Sequence, residues 1–293
     1  MKKSLIFIAV LLVCMMILPA FAVSAAEIDR GVVVFIYQPV DGVIGEGDVA
    51  VIDFLTKLGF TVKTIDHLEC TSADAEGVAL LYIAESVASI NVREGKYTKT
   101  SAPMFNCEMA AWEDTGFGLQ LASFAEDTYP VTLSGNHEII AATAQKSFDL
   151  MTEPGQSVVG LDISSMSADG IVLLAKDADN ALFAAYEKGA KLIDGSSCTS
   201  RRIAGFIFGQ TAYYFTDGMW AFMESMINWL SPPPVIEEVI VEEVAEEPAV
   251  IDGGNITAPV VTPTVPQTFD TTIIYIMVLI LGLGTIKLIK LKR

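Results

Sequence analysis

The chain has 293 residues, and its formal charge of −18 conceals a sharper asymmetry. All 36 acidic residues lie between Glu27 and Asp270, where they face only 12 of the 18 basic residues, a balance of −24. A surface of that sign repels nucleic acid and anionic lipid, which excludes nucleic-acid binding and favours solubility.

At the start, Lys2-Lys3, the apolar run Leu5–Leu18 and the small residues Ala20 to Ala26 read as a secretory signal peptide, residues 1–26, cleaved after Ala22, Ala25 or Ala26. Three cysteines then remain, Cys70, Cys107 and Cys198, so at most one disulfide can form, Cys107–Cys198 among the possibilities. Residues 27–230 read as one extracellular α/β domain. Its first strand is Gly31–Tyr37. A helix over Asp48–Leu58 follows, capped by the Asp48 carboxylate and stopped by Gly59. Strands at Phe60–Ile65, Val78–Ile83 and Ala102–Asn106 come next. These apolar runs are continuous rather than alternating, the pattern of parallel strands covered on both faces. The connection Cys70–Gly77 has room for a short helix at most, and so has Ala88–Thr100. A brief helix over Glu108–Asp114 closes the parallel half near residue 120.

Beyond it, Tyr129–Leu133 and His137–Ala142 suggest irregular strand and turn. Ser157–Ile163, Ile171–Ala175, Leu182–Tyr186, Ala190–Ile193 and Ile203–Phe208 are short apolar runs between tight polar turns, the signature of antiparallel additions. A helix over Asp217–Leu230, N-capped by Thr216, ends the domain. Residues 231–270, opening on Ser231-Pro-Pro-Pro234, carry paired glutamates and then Pro and Thr, an extended stalk. Asn255-Ile-Thr257 within it is a glycosylation sequon, usable if the host glycosylates surface proteins. Residues 271–289 read as a membrane-spanning helix and 290–293 as a basic cytoplasmic tail, giving a single-pass protein of the cell membrane with its mass outside.

In an open α/β sheet, ligands sit beyond the carboxyl ends of the strands. The residues there are Asp48, Glu85, Ser86, Cys107 and Glu108, and with His137 they form the candidate binding set. Gly45-Glu46-Gly47-Asp48-Val49-Ala50 fits a dinucleotide fingerprint, but Glu46 and Asp48 place negative charge where a pyrophosphate would sit. A loop with an acidic cap accounts for it better, and no cofactor is expected. Ala84-Glu85-Ser86-Val87-Ala88 imitates a nucleophile elbow with alanines in place of its glycines. Cys107, at a strand end and before a helix, is the candidate nucleophile, with His137 as base and Glu85 or Glu108 as orienter. The His, Cys and Glu residues show no ligand spacing such as C-x-x-C, so no metal is expected.

The order Asp48…Leu58-Gly59-Phe60-Thr61-Val62, then Leu80–Ser86, then Pro103–Glu108 resembles the class I glutamine amidotransferase-like superfamily, and within it the trehalose-utilisation (ThuA-like) branch found in secreted proteins. Asn136-His137-Glu138-Ile139-Ile140-Ala141 is similar to that branch's His-Pro segment, with Glu138 in the proline position. Lys188-Gly189 to Arg201-Arg202 and Asp217-Gly218-Met219-Trp220 resemble the end of such domains. The resemblance implies a flavodoxin-like parallel sheet with helices on both faces and added antiparallel strands. It also implies an association with sugars. Cys107 falls where amidotransferases carry their nucleophile, flanked here by Asn106 and Glu108. The expected function is a non-catalytic binding or surface-architecture module for a glycan or a surface protein. The alternative is a cysteine-dependent hydrolase using Cys107 and His137.

Overall fold

A computed structural model describes residues 29–125 and 128–234. The signal peptide, the stalk beyond Pro234, Asn255, the apolar run 271–289 and the basic tail lie outside the described residues. Among the described residues, no helix is long and apolar enough to cross a membrane.

The elements run β1 (Val32–Tyr37), α1 (Glu46–Lys57), β2 (Thr61–Asp66), β3 (Leu80–Ile83), β4 (Met104–Asn106), β5 (Gln120–Ala125), β6 (Pro130–Thr132), α2 (Glu138–Ala142), β7 (Ser147–Asp149), β8 (Ser157–Asp162), β9 (Ile171–Ala175), β10 (Asn180–Tyr186), β11 (Arg202–Gly205) and α3 (Asp217–Leu230). Nine strands form one sheet in the order β2-β1-β3-β4-β11-β10-β8-β5, with β9 also on β10; β6 and β7 make a separate ribbon. The five strands β2, β1, β3, β4 and β11 are mutually parallel, an order compatible with a flavodoxin-like domain. The pairings of β10 with β11, β8 and β9, and of β5 with β8, are antiparallel.

Every residue of β3 and β4 is buried, as are Val33 to Ile36 of β1. That explains the unbroken apolar runs: both faces of these strands are covered. On one face, α1 and α3 pack Val51, Leu55, Met219, Phe222 and Met226 against Phe35, Tyr82 and Phe183. On the other face, Val34, Ile36, Leu81 and Ala204 meet Tyr97, Trp112 and Phe117. These aromatics come from the segments directly after β3 and β4, whose only helical turns are 3₁₀. The expectation of helices on both faces is therefore corrected. The crossovers turn through left-handed glycines at Gly95 and Gly116, and bulky rings cover the sheet where helices would otherwise lie.

Arg202 holds this second cover together. Its guanidinium is fully buried and donates to the carbonyls of Thr98 and Thr115, one in each crossover. Arg201 beside it pairs with Glu138 and Glu187.

Other expectations are also corrected. The parallel half does not close near residue 120, because β11 returns as its fifth strand after a long excursion. Residues 138–142 form the short helix α2 rather than strand and turn, and Ala190–Ile193 is a turn with one bridge at Lys191. Helix α1 begins at Glu46 with Gly45 as its N-cap and no side-chain cap, so Asp48 has another partner. The Thr216 cap of α3 is present, its Oγ1 accepting from the Met219 N–H at 3.2 Å. Cys70, Cys107 and Cys198 are all buried and all free, so the possible Cys107–Cys198 bridge is not formed.

Phe222 anchors α3, its ring 5.6 Å from Phe183 and 6.3 Å from Phe148. Truncation to alanine removes a fully buried ring and leaves a void, so Phe222→Ala is expected to lose about 3–5 kcal/mol of unfolding free energy, measured by urea titration.

Candidate functional site at the strand ends

The carboxyl ends of β1, β3 and β4 gather Asp48, Glu85, Ser86, Cys107 and Glu108. Ser86 Oγ donates to Asp48 Oδ2 at 2.7 Å and accepts from the Gln38 N–H at 3.2 Å. The serine thus ties the segment after β3 to the segment after β1 and to the first turn of α1. Asp48 is not the cap of that helix because its carboxylate is turned inward to Ser86. Next in the chain, Glu85 Oε2 accepts from the Gly209 N–H at 2.8 Å, fixing the segment that follows β11. Gly47 permits the same closure from the helix side: a Cβ there would lie 2.0 Å from the Gly209 carbonyl oxygen. The site is therefore walled by α1, by the residue pair after β3 and by residues 208–211.

After β4, Asn106 Oδ1 accepts from the Glu108 N–H at 2.9 Å, and Glu108 Oε1 accepts from the Ala110 N–H at 3.1 Å. Glu108 is the cap of a 3₁₀ turn of only three residues, Met109–Ala111. The chain after Cys107 thus lacks the longer helix whose N-terminus would favour a thiolate.

Cys107 itself is 1% exposed, and its Sγ donates to the Tyr82 hydroxyl at 3.2 Å. Tyr82 is held between Phe35 and Phe105, with ring centroids at 4.8 and 5.3 Å. Burial pushes the Cys107 thiol well above its ordinary range, and the charges of Asp48, Glu85 and Glu108 add to that shift. The nucleophile expected from the sequence is a sequestered, protonated thiol.

His137 is elsewhere. It caps α2, its Nδ1 accepting from the Ile139 N–H at 3.3 Å, and its ring stands edge-on to Trp229 at 5.4 Å. Arg201 donates to the Trp229 carbonyl at 2.8 Å and to Glu138 at 3.1 Å, which places this group beside the first residue of β11. That is the amino end of the sheet. Arg202 is in register with Met104, and Cys107 lies three residues further along β4, about 10 Å at the rise of a strand. The Cys107–His137 pairing is corrected accordingly: the two residues belong to opposite ends, and His137 leaves the candidate binding set. Burial also lowers the pKa of His137, and its Nε2 has no hydrogen-bond partner among the described residues.

What the strand ends hold together is three carboxyl groups. Burial pushes Asp48 up to about 6, against the hydrogen bond from Ser86. It pushes Glu85 up to about 7, with Asp48 repelling it further. Glu108 reaches about 8 through burial and the charge of Glu85. Among the described residues, no group of three His, Cys, Asp or Glu side chains is arranged to hold a metal ion.

A cavity of about 320 Å³ opens here, lined by Glu85, Gln156, Ser157, Phe208, Gln210 and Thr211 with Gly155 and Gly209. A larger groove of about 770 Å³ runs between residues 129–132 and 174–177. It contains none of the strand-end residues, and the smaller cavity is the one that sits where an open parallel sheet places its ligands. The sequence reading placed Gln38 in the polar cluster that ends the first strand but missed Gly209 and Tyr82. A tyrosine in the otherwise apolar run Leu80-Leu81-Tyr82-Ile83 was the available signal, since its buried hydroxyl needs a partner.

No family model matches this chain, and no curated protein does. Among solved structures, the crystal structure of SMU.1228c aligns with 68% of this chain and 99% of its own, at 10% identity and a TM-score of 0.43. Nothing about a ligand or a reaction follows from that likeness.

The three carboxyl groups fix the pH dependence of stability. Each has a folded pKa above its unfolded value of about 4, so its contribution to stability is fully present below about pH 4 and is lost as the pH rises through about 6 to 8. Unfolding free energy is expected to fall by on the order of 5 kcal/mol between pH 5 and pH 8. In Glu108→Gln, which keeps an oxygen for the Ala110 N–H, urea titrations at the two pH values should differ by less.

Proposed function

We propose that the chain is a membrane-anchored cell-surface protein whose α/β domain is a non-catalytic binding module, with the strand-end cavity as its site. The finer assignment, to an amidotransferase-like domain of the ThuA-like branch, is part of the same proposal. It is supported by the sequence order already described and by the parallel order β2-β1-β3-β4-β11.

The observation that carries the binding reading is the state of Cys107. A cysteine hydrolase needs an accessible thiolate with a base in reach. Here the thiol is buried and bonded to Tyr82, and His137 is at the other end of the sheet. The accessible groups in the cavity are instead a carboxyl, two amides and one hydroxyl beside one aromatic ring, from Glu85, Gln156, Gln210, Ser157 and Phe208, with the buried Thr211 donating its hydroxyl to the Phe208 carbonyl. Such a lining exchanges hydrogen bonds with a polar, uncharged or cationic ligand, and its carboxyl groups repel an anion.

Site-resolved alkylation with iodoacetamide at pH 7.5 tests the absence of catalysis. In the native chain Cys107 should stay unmodified over hours and react within minutes once unfolded. Rapid native labelling of Cys107 would overturn the reading.

The surface location rests on the two apolar ends of the sequence. Protease added to intact cells should release a fragment that ends within the 231–270 stalk, and a chain fully protected until lysis would place it elsewhere.

A further inference from the structure

The two ends of the sheet differ in what they expose. Among the described residues, the large apolar side chains most open to solvent are Val40, Val43, Leu68, Ile90 and Tyr213, between 61% and 74% exposed. Val40 and Val43 follow β1, Leu68 follows β2, Ile90 follows β3 and Tyr213 follows β11. Val49, 41% exposed, is in the first turn of α1 at the same end. At the amino ends of these strands the counterpart is Val32, the first residue of β1, 39% exposed, while the segments 58–60, 76–79, 99–103 and 197–201 contribute none.

Acids occur at both ends, Asp29, Glu76, Glu138 and Glu187 at the amino end among them, and it is the cations that divide. Asp41, Glu46 and Asp48 follow β1, Asp66 and Glu69 follow β2, Glu85 follows β3 and Glu108 follows β4. Residues 38–48, 66–70, 84–91, 107–108 and 206–216 contain no Lys or Arg, while Arg30, Lys57, Lys99 and Arg201 sit at the opposite end. Two basic side chains border the rim, and both are engaged: Lys96 with the carbonyls of Cys70 and Asn91, Arg93 with Asp114 and the Ala110 carbonyl.

Isolated apolar residues on a surface need no explanation, but their concentration at one end of the sheet does. We infer that the carboxyl-end rim is a docking surface for a protein segment that presents lysine or arginine side chains between apolar ones. The inference rests on the strand-end cavity being a binding site and names the partner's chemistry. The apolar rim supplies area that association removes from water. The exposed carboxylates of Asp41, Glu46 and Glu69 favour a partner of opposite charge and reject acidic ones. A second copy docking rim to rim would bring the same carboxylates together, which the charge disfavours.

The test uses the full-length chain in neutral-lipid nanodiscs and three blocked octapeptides, alternating Leu/Lys, Ser/Lys and Leu/Ser. The Leu/Lys peptide is expected to bind best and to weaken as salt is raised. The variant Val43→Ser/Leu68→Ser/Ile90→Ser should keep its Tm and lose roughly tenfold or more in affinity. Equal binding of Ser/Lys and Leu/Lys, or binding unchanged in the triple variant, would overturn the inference, as would no binding at millimolar peptide. Self-association abolished by the triple variant, with no peptide binding, would instead identify a second copy as the occupant. If a neutral oligosaccharide shifts the Gly209 amide resonance and the peptides do not, the cavity remains a binding site and only the partner assigned here falls.

Discussion

A fully buried guanidinium decides how this sheet is covered. The segments directly after β2, β3 and β4 lack the helices that ordinarily satisfy their own backbone groups. Arg202 stands where two of them converge and supplies donors to the carbonyls of Thr98 and Thr115. With those carbonyls satisfied, Tyr97, Trp112 and Phe117 can lie on the sheet as a dry aromatic layer. The charge rests on acceptors alone, without a carboxylate in hydrogen-bond contact. An apolar replacement of the same size would leave those buried carbonyls without partners, and a buried polar group left unpaired costs about 1–3 kcal/mol. The helical face needs no such device, because α1 and α3 pair their own backbones.

The strand-end site depends on close approach in the same way. Three separate connections meet there, and each is fixed by one polar contact: Gln38 and Asp48 on Ser86, Gly209 on Glu85, and Glu108 on Asn106. Packing acids this closely, with Arg93 offsetting only part of the cost at Glu108, weakens the fold at neutral pH, a pattern more characteristic of sites than of scaffolding. The thiol nearby is not part of that chemistry. Its contact with Tyr82 fills the space beneath the site, and the stacked rings of Phe35, Tyr82 and Phe105 make that floor rigid.

Much of this was legible in the sequence, and the limits have identifiable causes. The strands β1, β3 and β4 could be read because burial on both faces leaves unbroken apolar runs, and α3 because Met219, Phe222, Met223 and Met226 recur at helical spacing. β2, an edge strand with half its residues exposed, was legible only from Gly59 and its place after α1. β11 was legible as a strand but not as a parallel one. The chain between β4 and β11 is filled with short antiparallel strands, and nothing local records that Arg202 returns beside Met104. α2 was misread because five residues are too few to display a period. The strand-end rule located Asp48, Glu85, Ser86 and Glu108 correctly. It could not exclude His137, whose position is set by Trp229 and Arg201 from distant parts of the chain.

The contact between Arg30 and the end of α3 bears on how the domain is presented. Arg30 reaches the Asn228 side chain and the Ser231 carbonyl, so the chain enters β1 and leaves α3 at neighbouring points. Both points are at the amino end of the sheet. One side chain, Arg30, thus fastens the start of β1 to the end of α3, and separating the two would first break its contacts with Asn228 and Ser231. The acidic, apolar-rimmed pole thus lies at the end of the sheet away from both of these described chain ends.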